Sequence, residues 1–354
     1  PRGYKFSYDR LGRLTDAEYG EGPSLSVNTN RFNEQVTGYD KMGNILGLKR
    51  YGQTSATGYD VIDDLSLSYA GNRLKKVTDR STTPAFNNGF EFKDGIDLPT
   101  EYEYDENGKK ILCEMNGINS EMLMDIYVKK MKKGEVLEIC EDKNECAILL
   151  LSGDVTFKAG DEINERCKRK NPFEKKPYAI HFCKQIKASV TANEDSEVLV
   201  QMTDNEKTWK SEFYNPDNCL YQEFGKGQWN GTGYRIVSTM FDLDNAPESN
   251  MVMGEVFNQP GRWSSYPPHH HPQPELYYYQ FDHPEGFGAG FEGNTPYKTE
   301  NGSCLCIRGG NAHQQVTAPG YEMYYVWLIR HLDGDPWDKT RIYVPEYEWL
   351  ANAD

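Results

Sequence analysis

At 354 residues the chain is long enough for two or three ordinary domains. Its formal net charge of −15 argues against nucleic-acid and anionic-membrane partners, since phosphates and acidic lipids repel such a surface. A hydrophobic share of 37%, with 32 Gly and 24 Tyr, favours many turns and half-buried strands, and an apolar run such as Cys146 to Leu151 is strand-sized.

The first 110 residues carry an internal repeat. Tyr8-Asp9-Arg10-Leu11-Gly12-Arg13-Leu14 recurs as Tyr39-Asp40-Lys41-Met42-Gly43-Asn44-Ile45. Weaker copies stand at Tyr69-Ala70-Gly71-Asn72-Arg73-Leu74 and Tyr104-Asp105-Glu106-Asn107-Gly108-Lys109, a period of about 30 residues. Each unit reads as an aromatic strand, a polar turn with a glycine suited to positive φ, and a returning strand. A single hairpin cannot bury its apolar face, so successive hairpins must stack. The pattern resembles the YD repeats of Rhs-type bacterial proteins, which implies a structural scaffold. The segment holds no His and no Cys, and no chemistry is expected of it.

A boundary is expected near residue 111, where the Tyr-Asp punctuation stops. Beyond it, short strands are predicted at Met122–Val128, Cys146–Leu151, Asp154–Phe157, Tyr178–Cys183 and Glu197–Met202. Leu150-Leu151-Ser152-Gly153-Asp154-Val155 reads as a tight hairpin between two of them. A second strand series runs from Tyr234 to Val344. The expectation is all-β: a hairpin segment over 1–110, then two tandem barrels over 111–220 and 221–354. The eight cysteines fit no zinc-ribbon or disulfide framework and read as free thiols in a reducing compartment, with Cys304 and Cys306 packing on one strand face. The chain opens on Pro1 rather than methionine, as a piece of a longer protein would.

Five of the seven histidines lie between His269 and His313. In His269-His270-His271-Pro272-Gln273-Pro274-Glu275, residues i and i+2 of an extended segment share a face, so His269 and His271 converge while His270 points away. The two prolines bend the chain and let Glu275 return on the next strand. His313, after the turn-rich Arg308-Gly309-Gly310-Asn311-Ala312, supplies a fourth ligand. Three imidazoles and a carboxylate with open positions suit one catalytic divalent ion, zinc first, with manganese or iron as alternatives. Of Tyr277, Tyr278 and Tyr279, one ring is expected to face the pocket and two the core. His181, His283 and His331 are expected to satisfy local hydrogen bonds.

This HxH-xxx-E…H pattern is the cupin metal motif, and its flanks narrow the resemblance. Asn250 to Asn258, Pro260-Gly261-Arg262-Trp263-Ser264-Ser265-Tyr266-Pro267-Pro268, Phe281 to Gly288, Gly309 to His313 and Thr317 to Tyr321 together resemble the 5-deoxy-glucuronate isomerase family of inositol catabolism. The likeness covers about residues 120–354, reaching the first barrel through Leu149 to Gly153. It implies two jelly-roll cupins, the first without metal because it offers only His181. It also implies conversion of 5-deoxy-D-glucuronate to 5-dehydro-2-deoxy-D-gluconate, an aldose–ketose isomerisation in the cytoplasm by an enzyme that could form homo-oligomers, whereas the likeness to YD repeats implies a surface or exported form. The chemistry needs a C2 proton removed and C1 protonated. Glu275, Tyr277 and Tyr279 are the candidates for that traffic, and Arg262 is the candidate clamp for the substrate carboxylate, with Arg308 and Arg330 behind it. The alternatives are a 4-deoxy-5-hexosulose-uronate isomerase, a metal-dependent dioxygenase, and a non-enzymatic sugar-binding cupin on the repeat scaffold.

Overall fold

A computed structural model describes residues 1–70, 73–89, 92 and 109–352, and the chain divides into two compact units, Pro1–Tyr104 and Asp105–Asp354. Among the described residues no helix is long and apolar enough to cross a membrane.

In the first unit, six strands (Arg2–Tyr8, Leu14–Glu21, Glu34–Tyr39, Ile45–Gln53, Tyr59–Ala70 and Arg73–Asp79) form one antiparallel sheet in chain order. The Tyr-Asp recurrence is a turn code. Asp9 Oδ1 accepts the backbone N–H groups of Leu11 and Arg13 at 2.8 and 3.0 Å, while Gly12 takes φ +76°. Asp40 does the same for Met42 and Asn44 at 2.8 and 2.9 Å, with Gly43 at φ +92°. The third copy keeps the hairpin with Ala70 in place of the aspartate, and its Gly71-Asn72 step lies outside the described residues. So do residues 104–108 of the fourth. Tyr19, Phe32 and Tyr59 pack edge to face across this sheet, at 5.2 and 5.3 Å between centroids. The likeness to YD repeats rests on the sequence recurrence alone.

The second unit is two β-barrels. The first opens with Lys109–Cys113, a strand that spans the expected boundary and pairs with Asp125–Met131. Its larger sheet continues through Ser196–Asp204, Asn144–Ala159, Ala179–Phe182 and Glu212–Tyr214. Ile163–Arg169, Ala188–Ala192 and Val136–Ile139 make the opposing face.

The hairpin expected at Leu150–Val155 does not form. Asn144–Ala159 is one 16-residue strand whose register shifts between Leu150 and Ser152. Its first half pairs with Ala179–Phe182 and Ser196–Asp204, and its second with Ile163–Arg169 and Ala188–Ala192. The Ser-Gly step bends the strand from one sheet into the other, as a bulge does at a barrel corner. The bend is held from afar: Ser196 Oγ accepts the Asp154 N–H at 3.2 Å and donates to the Glu194 carbonyl at 2.7 Å.

The second barrel sets a six-stranded sheet (Leu220–Phe224, Arg235–Phe241, Met251–Asn258, Met323–Arg330, Glu275–Phe281, Cys304–Ile307) against a five-stranded one (Thr295–Glu300, Phe287–Glu292, His313–Thr317, Trp263–His270, Ile342–Tyr343). The continuous apolar run at Cys146–Leu151 is explained by burial on both faces. Ile148 and Leu150 fill the first barrel, while Leu149 and Leu151 join a core shared with Met253, Phe257, Tyr324 and Leu328 of the second. Within this shared core Arg169 meets Glu255 at 2.6 and 3.1 Å, and Tyr324 donates to Glu255 Oε1 at 2.6 Å.

Candidate metal centre

The site is built at one end of the second barrel from both of its sheets. His269 and His313 face each other as cross-strand partners in the five-stranded sheet. Glu275 opens the strand Glu275–Phe281 of the other sheet, and His271 lies between, in the bend that Pro272 and Pro274 impose. Close approach at Gly309 completes it: a Cβ there would stand 1.9 Å from the Pro272 carbonyl oxygen. Only glycine lets the turn before His313 lie against the bend, where the Gly310 N–H donates to the His271 carbonyl at 2.8 Å.

His271, Glu275 and His313 each offer one ligand atom, and these atoms lie within 4.8 Å of one another, a buried cluster able to hold a metal ion. Glu275 Oε2 stands 3.4 Å from His271 Nε2 and 3.3 Å from His313 Nε2. His269 stands beside the three, its ring 4.8 Å from that of His313. Outer partners orient two of the rings: His269 Nδ1–H donates to the Pro267 carbonyl at 2.8 Å and His313 Nδ1–H to that of Asn311 at 3.2 Å. Each therefore presents a bare Nε2. Burial pushes both imidazoles down to about 3, so they stay neutral and competent as ligands. An unpartnered buried carboxylate oxygen facing an imidazole lone pair is repulsive unless a cation lies between them. The donor set fits a divalent ion.

These groups open on a cavity of about 280 Å³. The strand Glu275–Phe281 sends Glu275, Tyr277 and Tyr279 to one face and Leu276 and Tyr278 to the shared core. Tyr277 lines the cavity, its hydroxyl 3.0 Å from Ser265 Oγ and its ring centroid 6.0 Å from that of His313. Burial holds its phenol well above the ordinary range. Tyr279 lies outside the cavity lining, its hydroxyl donating to Gln315 Oε1 at 2.5 Å. Other histidines are engaged locally: His181 with Glu145 at 2.9 Å, His283 with Asp282 at 3.1 Å, and His331 Nδ1 with the Trp337 N–H at 2.9 Å.

The arginine expectation is corrected by the geometry. Arg262 is not among the cavity residues; it donates to the Gly231 carbonyl and lies over the Tyr234 ring at 5.6 Å. Arg308 is paired with Glu292 and Arg330 with Asp204. The cations that line the cavity are Arg235, Lys339 and Arg341, which sequence reasoning passed over together with Asp242, Trp327 and Trp337. Pairing of Ile342–Tyr343 with His269–His270 carries the preceding Trp337-Asp338-Lys339-Thr340-Arg341 segment to the site. The clustered charge and aromatics of that segment were the one available signal.

The KduI/IolB family model matches residues 98–350. The chain is 25% identical over 265 residues to a 5-deoxy-glucuronate isomerase of Bacillus licheniformis, covering 69% of this chain and 93% of that one. It is 24% identical to the 5-deoxy-glucuronate isomerase of Bacillus subtilis strain 168, covering 69% and 94%. Among solved structures, an IolB-like protein from Salmonella typhimurium LT2 aligns with TM-score 0.59 and 21% identity over 64% of this chain and 90% of that one. An oxalate decarboxylase–formate complex from Lactobacillus farciminis aligns with TM-score 0.50 and 12% identity over 71% and 88%. These two share the tandem-barrel fold. Residues 1–97 precede the matched family segment.

Proposed function

The chain belongs to the KduI/IolB family, and from that premise we propose that it is a 5-deoxy-glucuronate isomerase that turns this open-chain aldehyde acid into 5-dehydro-2-deoxy-D-gluconate. The observation that carries the reading is the buried Glu275 carboxylate between two imidazoles at the floor of a sugar-sized cavity. His269, His271, Glu275 and His313 are the proposed ligands of one divalent ion, zinc by preference. Such an ion would supply positive charge to stabilise the enediolate that develops in the reaction.

The chain's own groups move the proton. Glu275 Oε2 faces the imidazoles, which leaves Oε1 to accept the C2 proton. Glu275 returns that proton to C1, while Tyr277, kept protonated by burial at the same wall, passes its hydroxyl proton to O1 and takes up the O2 proton, so both groups end as they began. Ser265 holds that hydroxyl in place. Tyr279, tied to Gln315, supports the wall and takes no proton. The first barrel is proposed to bind no metal, since its interior is packed solid by Ile148, Leu150, Phe157, Val190 and Val198. All eight cysteines are unpaired, which supports action in a reducing compartment.

The test is anaerobic turnover of 5-deoxy-glucuronate by the full chain, before and after chelation, with zinc, manganese or iron restored singly. Turnover lost with the metal and regained with one ion is expected, as is joint loss of metal and activity in His271→Ala. Full activity of metal-free His271→Ala would overturn the mechanism.

A further inference from the structure

The strand Arg235–Phe241 turns Arg235, Val237 and Thr239 toward the cavity on its alternate-residue face. Arg235 is only 7% exposed. Its guanidinium makes one hydrogen bond, Nη1–H to the Gly233 carbonyl at 3.1 Å, and among the described residues no carboxylate pairs with it. Arg341 lines the same cavity, likewise without an acidic partner among the described residues. Both guanidinium groups lie near the Phe224 ring, at 5.3 and 5.9 Å. The third cation is different: Lys339 is already neutralised by Asp242, at 2.9 Å, and by Asp244.

A buried guanidinium with no counter-charge is costly, and proteins pair such groups or give them an anionic ligand. Burial presses Arg235 down to about 10, with Arg341 acting in the same direction. Arg235 and Arg341 line the same cavity as His269, His271, Glu275 and His313, so its positive side and the metal cluster face one space. A short ligand could therefore reach both.

We propose that Arg235, backed by Arg341, is the carboxylate subsite of this cavity, gripping the acid end of a sugar whose aldehyde end lies at the metal cluster. The choice of a sugar acid as occupant rests on the isomerase reading; the demand for an anion does not. Arg235 is fixed on a strand and presents a planar fork that matches a carboxylate, whereas Arg341 follows a loop and adds charge at the mouth. The subsite is what separates uronates from neutral aldoses.

The experiment compares binding of D-glucuronate and the neutral D-glucuronamide to the full chain, with and without metal, followed by calorimetry or by fluorescence of Trp327 and Trp337 in the cavity wall. The expected preference for the acid is about 10- to 100-fold in the native protein. It falls to about threefold or less in Arg235→Met, partly returns in Arg235→Lys, and drops severalfold in Arg341→Ala, with metal content unchanged. Turnover adds a second readout: in Arg235→Met KM for 5-deoxy-glucuronate rises with kcat far less affected. Equal affinity for acid and amide in the native protein, or an undiminished preference in Arg235→Met and Arg341→Ala, overturns the subsite. If Arg235→Met does not fold, Arg235→Lys and Arg341→Ala decide. Acid preference lost in the variants, in a protein that turns over no uronate, upholds the subsite and sinks the isomerase reading. Turnover with an unaltered KM in Arg235→Met does the reverse.

Discussion

Arg169→Met should destabilise the second unit by about 3–5 kcal/mol, the cost of leaving a buried charge without its partner. Arg169 and Glu255 are both fully buried in the core shared by the two barrels, joined through two hydrogen bonds at 2.6 and 3.1 Å. Arg169 also donates to the carbonyls of Leu150 at 2.9 Å and Pro172 at 3.1 Å. Without it Glu255 keeps, among the described residues, only the Tyr324 hydroxyl as a side-chain donor, at 2.6 Å. For a unit of this size 1 kcal/mol corresponds to about 2–4 °C, so the thermal midpoint should fall by about 6–20 °C. Replacing the whole group (Arg169→Met, Glu255→Met, Tyr324→Phe) removes the stranded charge and should recover most of the loss. Urea and thermal melts followed by near-ultraviolet circular dichroism measure both. A single Arg169→Met variant within 1 kcal/mol of the native protein, or a triple variant no better than the single, would refute the argument.

Tyr277→Phe should lower kcat by about 100-fold or more with metal content intact, the usual worth of a positioned acid. Tyr279→Phe, which lacks access to the cavity, should cost less than tenfold, and equal losses would contradict the division of roles. His331 is buried, accepts the Trp337 N–H, and is pushed down to about 4 by burial, with Arg330 opposing its protonation and Glu145 and Asp242 favouring it. The unfolded imidazole takes up its proton near 6.5 while the folded one does not until about 4. Stability from this group is therefore complete above 6.5 and is lost as pH falls toward 4, by at most about 1.4 kcal/mol per pH unit. His331→Gln, which keeps an acceptor for the Trp337 N–H, should flatten that part of the urea-midpoint profile; parallel profiles would contradict it.

The approach of His271 to Glu275, two members of the proposed ligand set, was legible because it is a local matter. Strand alternation puts His269 and His271 on one face, and two prolines return Glu275 within four residues. The all-β class and the tandem barrels were legible for a similar reason, from strand-length apolar runs punctuated by turn residues. What escaped depends on partners distant in sequence. Leu-Ser-Gly-Asp reads the same whether the chain reverses or bulges, and Ser196, more than forty residues on, decides for the bulge. Arg262 and Arg235 are both arginines near aromatic residues; which enters the cavity is settled by strand pairing with Asn258 and Phe224 for Arg235 and by the Gly231 carbonyl for Arg262. Tyr277 and Tyr279 share a face, and only their depth in the barrel separates a cavity residue from a buried support.

The cavity wall of the second barrel is backed by the first barrel. Met251–Asn258 and Met323–Arg330 carry the cavity on one face, through Val256, Tyr325 and Trp327. On the other face, Met253, Phe257, Tyr324 and Leu328 enter the shared core. A barrel that keeps a cavity open gives up packing contacts inside, so these strands must be held from behind. The first barrel supplies that backing with Leu149, Leu151 and the Arg169 clamp, and can do so because its own interior is filled. The first barrel thus packs behind the cavity wall, and Arg169→Met, which loosens that backing, should raise KM for 5-deoxy-glucuronate at temperatures below its thermal midpoint; an unchanged KM there would contradict the argument.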